Sequence, residues 1–123
     1  MDYIPEEYER GRREAEIDAA HGLRKFYAQT RGAWGRFLTD LMRDRYRIVV
    51  VHTSDIAWPA ICSYQSGYNS VTLEFLDTVC GQGEWDRIWA EVTEFRIESY
   101  RRYYENLPDE EVPEYYRKSR KRD

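Results

Sequence analysis

The longest periodic pattern in the chain runs through Leu23, Phe26, Tyr27, Thr30, Trp34, Phe37, Leu38 and Leu41, which recur at three- and four-residue steps among mainly polar and charged neighbours. That is the spacing of one helix face, so a long amphipathic helix is predicted there. A helix start is expected near Pro5, whose missing N–H would have no partner in a first turn anyway, with Glu6, Glu7 and Glu9 at the positive end of the dipole. Gly32 and Gly35 each cost about 1 kcal/mol in a helix interior, which predicts a kink or a short break.

From Tyr46 the texture changes. Arg47, Ile48, Val49, Val50, Val51 and His52 form a short β-branched run that suits a buried strand. Trp58 to Tyr64, which contains Pro59, is expected as an edge strand. Ser66-Gly67-Tyr68-Asn69 carries turn chemistry ahead of Val71, Leu73 and Phe75, which alternate with Thr72 and Glu74 as a hairpin strand would. The stretch Val71 to Cys80 also fits a helix. After Gly81 and Gly83, the positions Trp85, Ile88, Trp89, Val92, Phe95, Tyr100, Tyr103 and Leu107 predict a second long helix, stopped by Pro108.

The expected fold is therefore α+β: two long amphipathic helices flanking a small three-stranded antiparallel sheet, in the order α-β-β-β-α. Residues 1–107 are expected to form one globular domain, and residues 108–123 a frayed or disordered charged tail. Double-stranded-RNA-binding domains share this order of elements. They read phosphates with a basic start to their last helix, whereas this one opens with Glu84, Trp85 and Asp86, so the comparison fails and no family resemblance is drawn.

Charge sharpens the picture. The chain of 123 residues carries a net charge of −4, yet residues 22–47 hold seven basic groups and two acidic ones. Residues 1–20 have three basic and seven acidic groups, and residues 54–99 two basic and eight acidic. The basic block could face nucleic acid, but pairing with the acidic segments of its own fold or of a second copy is the expected outcome. No apolar run approaches the roughly 18 residues of a membrane span. The acidic first residues lack a secretory start, so a cytoplasmic protein is expected. Cys62 and Cys80 are too few for a disulfide framework or a four-thiolate zinc site, and are expected as reduced core residues.

Candidate chemistry is sparse. His52 ends the β-branched run and precedes Thr53, Ser54 and Asp55, and a hydrolase reading would pair it with Cys62 as nucleophile, although no local signature surrounds the cysteine. Gly81-Gln82-Gly83 lacks the further glycine and the lysine of a phosphate loop, and Glu84 and Asp86 already place negative charge there, so a helix stop and start is expected. Asp109, Glu110 and Glu111 are expected as a solvated charge run. His21 and His52 lie far apart with no helix-spaced second ligand, so no metal, no cofactor and no catalytic residue is expected.

Aromatic and arginine content remains. Eleven tyrosines, four tryptophans and arginine's 16 of the 19 basic charges favour a binding surface. The expected function is a non-enzymatic interaction or regulatory protein, inhibitor- or adaptor-like, that binds a protein partner or a second copy of itself. Tyr100, Arg101, Tyr103 and Tyr104 at the end of the last helix, with Arg24 and Arg31 on one flank of the first, would make the contact. The alternative is a small-molecule or nucleotide-binding protein in which Arg45, Arg47, His52, Trp58 and Tyr64 meet at one end of the sheet. Binding to nucleic acid or membrane is not expected.

Overall fold

The computed structural model describes residues 3–54, 58–114 and 117. Among them the chain forms α1 (Pro5–Ala20), β1 (Lys25–Ala28), α2 (Gly32–Tyr46), β2 (Val49–His52), α3 (Pro59–Cys80) and α4 (Glu84–Glu105), followed by a 3-10 turn at Asp109–Glu111. The architecture is mostly helical. Its one sheet, among the described residues, has two parallel strands, with Phe26 opposite Val50 and Ala28 opposite His52. The expected three-stranded antiparallel sheet between two helices is thus overturned.

Three local causes account for the difference. First, the helix starting at Pro5 stops at Gly22: its φ of 82° is left-handed, and the N–H groups of Gly22 and Leu23 turn back to the carbonyls of Ala19 and Asp18. The helical spacing of Leu23, Phe26, Tyr27 and Thr30 is therefore coincidental. Phe26 and Tyr27 belong to a four-residue strand, and the periodic stripe becomes a true helix only from Gly32, where a break had been expected.

Second, the expected edge strand and hairpin are one continuous helix, α3, with Pro59 in its first turn. The turn-like Ser66-Gly67-Tyr68-Asn69 lies inside it because α1 crosses there with no room for side chains. A Cβ on Gly67 would lie 2.8 Å from the Tyr8 carbonyl carbon, and one on Gly11 would lie 2.8 Å from the Tyr68 nitrogen. Small residues let the two backbones touch, and that contact outweighs the weak helix propensity of glycine. The buried stripe of α3 is Ser63, Gly67, Tyr68, Thr72 and Leu76, too polar to announce itself as a helix face.

Third, α3 seals the outer edge of β1 with side chains instead of a third strand. The Tyr27 N–H donates to Asn69 Oδ1 and Asn69 Nδ2 donates to the Tyr27 carbonyl, both at 2.8 Å, while Thr72 Oγ1 donates to the Lys25 carbonyl at 2.7 Å. An edge strand covered this way cannot recruit another chain.

The core gathers Phe26, Leu38, Leu41, Met42, Ile48, Val50, Leu76, Ile88 and Val92, joining β1, β2, α2, α3 and α4, and Trp34, Phe37, Phe75 and Trp85 pack on it. The helix predicted from Trp85 is present as α4. Gly81 and Gly83 link α3 to α4, with Arg87 as their neighbour. Both cysteines are free and partly exposed. Of the expected tail 108–123, residues 115, 116 and 118–123 lie outside the described residues, and Val112 is 3% exposed. Among the described residues no helix is long and apolar enough to cross a membrane.

Candidate functional site

Parallel strands joined through a helix place both strand ends and the helix start at one end of the molecule, the usual position for a ligand in such units. Here that end holds a cleft of about 340 Å³ lined by Thr30, Arg31, Gly32, Gly35, Arg36, Thr39 and His52. His52 is the last residue of β2, and Thr30 follows β1 by two residues. Arg31 is the N-cap of α2, extended at φ −143° and ψ 146°.

A proton relay orients the histidine. Thr39 Oγ1 donates its only proton to the Gly35 carbonyl at 2.8 Å, so at 3.2 Å from His52 Nε2 it acts as acceptor and the neutral ring carries its proton on Nε2. Nδ1 is then free to accept from Thr30 Oγ1, a short contact. Gly35 makes this possible: a Cβ there would lie 2.9 Å from the Thr30 Cβ and push that side chain off the helix.

The electrostatics favour an anion. The first turn of α2, like that of α3, has no acidic residue, whereas α1 and α4 open with Glu6 and Glu7 and with Glu84 and Asp86. Arg36 adds an exposed guanidinium. The relay is less suited to activating a nucleophile. Among the described residues no carboxylate bonds to His52, and a hydroxyl stabilises an imidazolium far less than the carboxylate of a catalytic triad does. Cys62, the nucleophile a hydrolase reading would require, is not among the ring's partners within the described residues, and Asp55 lies outside them.

Next to this cleft is a second of about 300 Å³, lined by Arg31, Gly32, Ala33, Trp34, Arg96, Ser99 and Tyr100. Helix α4 runs antiparallel to α2: Tyr46 donates to Glu84 near one end, and Trp34 and Phe37 pack against Trp89 and Phe95 farther along. The last turns of α4 therefore overhang the start of α2. Tyr100 and Tyr103 continue the inward stripe of α4 beyond the body it covers, and are 52% and 61% exposed.

The sequence-derived sets are thus regrouped. Of the partner-binding set, Arg31 and Tyr100 reach this end, with Tyr103 and Tyr104 in edge-to-face contact one turn on. Arg101 pairs with Glu98 at 3.8 Å. Arg24 does not share a flank with Arg31, because it precedes β1 and stacks its guanidinium 3.7 Å from the Phe75 ring centre.

Of the alternative ligand set only His52 is here. Arg45 Nη2 donates to Glu91 Oε1 at 2.8 Å, and Arg47 caps α2 at its far end with a left-handed φ of 57°. Trp58 is exposed ahead of α3, and Tyr64 donates to Glu14 in the α1–α3 contact. Lys25 with Asp18 and Arg45 with Glu91 show part of the basic block neutralised within the fold. Thr30, Gly35, Thr39 and Arg96 were missed. The Thr30-Arg31-Gly32-Ala33-Trp34-Gly35 stretch was the available signal, hidden by the false continuation of the helical stripe.

The chain matches no protein-family model, no curated protein and no solved structure.

Proposed function

We propose that the protein is a non-enzymatic binding protein whose ligand carries an anionic group, held in the cleft where the ends of β1 and β2 meet the start of α2. One observation carries this reading: the exposed guanidinium of Arg36 lines a cleft at the start of α2, whose first turn holds no acidic residue. Backbone N–H groups and the helix dipole attract negative charge, and the guanidinium adds a charge-assisted donor. The regulatory role expected from the sequence then becomes a response to a small anion. Calorimetric titration with inorganic phosphate and pyrophosphate tests it. Binding at millimolar or lower concentration that is lost in Arg36→Glu supports the reading. No heat at about ten millimolar, or binding unchanged in that variant, overturns it.

A second reading, contact with a macromolecule, is favoured by the overhang of α4, where Tyr100 and Tyr103 are exposed on what is otherwise a core-facing stripe. Tyrosines so placed bury large area at low entropic cost. Sedimentation velocity of the wild type and of Tyr100→Ser/Tyr103→Ser tests the version in which the partner is a second copy. A concentration-dependent dimer present only in the wild type supports it, and a monomer throughout removes it.

A further inference from the structure

We propose that the outer edge of β2 is the docking surface for a second copy of this chain, the two β2 strands pairing antiparallel about Val51 into one continuous sheet. The inference stands apart from the anion reading and from the tyrosine overhang. It starts from a difference between the two edges of the sheet. In the parallel register the Val49 N–H donates to the Arg24 carbonyl and the Thr53 N–H to the Ala28 carbonyl. Val49, Val51 and Thr53 thus commit their backbone groups to β1, and the N–H and C=O of Val50 and His52 point away from it. On the β1 side the corresponding outward groups, at Lys25 and Tyr27, are taken by Thr72 and Asn69. On the β2 side no strand follows, and among the described residues no backbone group bonds to Val50 or His52.

An open row of backbone donors and acceptors is a template for another strand, and natural edges are blunted by charged side chains or proline. This one is not. Ile48 to Ser54 contain no Lys, Arg, Asp, Glu or Pro, and Val49 is 48% exposed. A second copy suits the edge because the strand is complementary to itself. With Val51 on the two-fold axis, Val50 of each copy exchanges both its bonds with His52 of the other. On the opposite face Val51 meets Val51 and Val49 meets Thr53, so β-branched side chains oppose one another throughout. The same register sets the exposed Arg47 level with position 55 of the other copy, an aspartate in the sequence. Opposite charges therefore flank the pairing, and no like charges are brought together within it.

Sedimentation velocity of the full chain, combined with disulfide trapping, tests it. The wild type is expected to dimerise in the micromolar range, and Tyr100→Ser/Tyr103→Ser to dimerise equally, which separates this contact from the overhang of α4. For trapping, Val51→Cys and Val49→Cys are made in the otherwise native chain and mildly oxidised, and the bridged peptides are mapped by mass spectrometry. Facing Val51 positions, a non-hydrogen-bonded pair, would lie about 4.5 Å apart at Cα, within disulfide reach, and the two Val49 positions roughly 14 Å apart. Most Val51→Cys chains should become covalent dimers bridged at position 51. Val49→Cys should not, although its side chain is the more exposed and random collision would favour it. A wild type that stays monomeric through the high micromolar range overturns the inference. So does a dimer that is lost in the tyrosine variant, or a yield of bridged Val51→Cys no higher than that of Val49→Cys. None of these results touches the anion reading, which phosphate titration decides by itself.

Discussion

Replacing Gly67 by alanine sets two physical effects of opposite sign against each other. In a helix interior the change should stabilise by about 1 kcal/mol, because alanine loses less backbone freedom and shields the helix better. At this position the new methyl would lie 2.8 Å from the Tyr8 carbonyl carbon and closer still to its oxygen. Carbon atoms at rest sit about 3.5–4.0 Å apart. The overlap of about 1 Å falls on backbone at both sides, so no side-chain rotation relieves it and α1 must move off α3. Overpacking of this kind costs about 1–3 kcal/mol, and here lies at or above the top of that range because the obstacle is rigid.

A net loss of about 2 kcal/mol follows once the propensity gain is subtracted. At about 4 °C per kcal/mol for a chain of this size, the melting temperature should drop by about 8 °C. Urea unfolding followed by circular dichroism gives the free energy directly. Gly11→Ala should cost a similar amount, since its Cβ would meet Tyr68 and Tyr64 backbone. The double variant should cost less than the two together, because helices already forced apart admit the second methyl. A neutral or stabilised Gly67→Ala would refute the close crossing of α1 and α3.

Asn69→Ala removes both hydrogen bonds to Tyr27 and uncovers the edge of β1, and should cost about 2 kcal/mol; an unchanged urea midpoint would show that the edge is not sealed by this side chain. Gly35→Ala should displace Thr30 and break its bond to His52, lowering anion affinity more than stability; equal affinity in the two proteins would remove Gly35 from the site. Burial and the hydrogen bond to Glu84 push the Tyr46 hydroxyl up to about 12, and burial raises Tyr64 and Tyr68 further. Because the unfolded tyrosines ionise near 10, stability from these groups is complete below about pH 10 and is lost as pH rises toward 12, so alkaline unfolding should coincide with tyrosinate absorbance. Ionisation of all tyrosines near pH 10 with the fold intact would contradict their burial.

Elements whose cause is local were legible in the residues themselves. Pro5 with Glu6 and Glu7 marked the start of α1, the stripe Trp85–Ile88–Val92 marked α4, and the run Val49–Val51 marked β2. His52 and Arg31 line the first cleft, and Arg31 and Tyr100 the second, which places side by side residues that residue type alone assigns to separate surfaces. The signals for the three elements sit within a few residues of their own explanation.

The remainder was decided by partners distant in sequence. Ser66-Gly67-Tyr68-Asn69 favours a turn in isolation and is helical because α1 needs bare backbone at Gly67 and β1 needs the Asn69 amide at its edge. Lys25–Ala28 is too short to show a strand period, and it is a strand because Val49–His52 pairs with it in parallel across the whole of α2. The cleft depends on that pairing, since only a parallel register brings His52 beside Thr30 and the start of α2. The sequence by itself determined where helix and strand propensities lie and which side chains could bind; packing between distant segments decided which propensities were overridden and which side chains meet, because a close helix crossing and a sealed strand edge are worth more than the local preference of four residues.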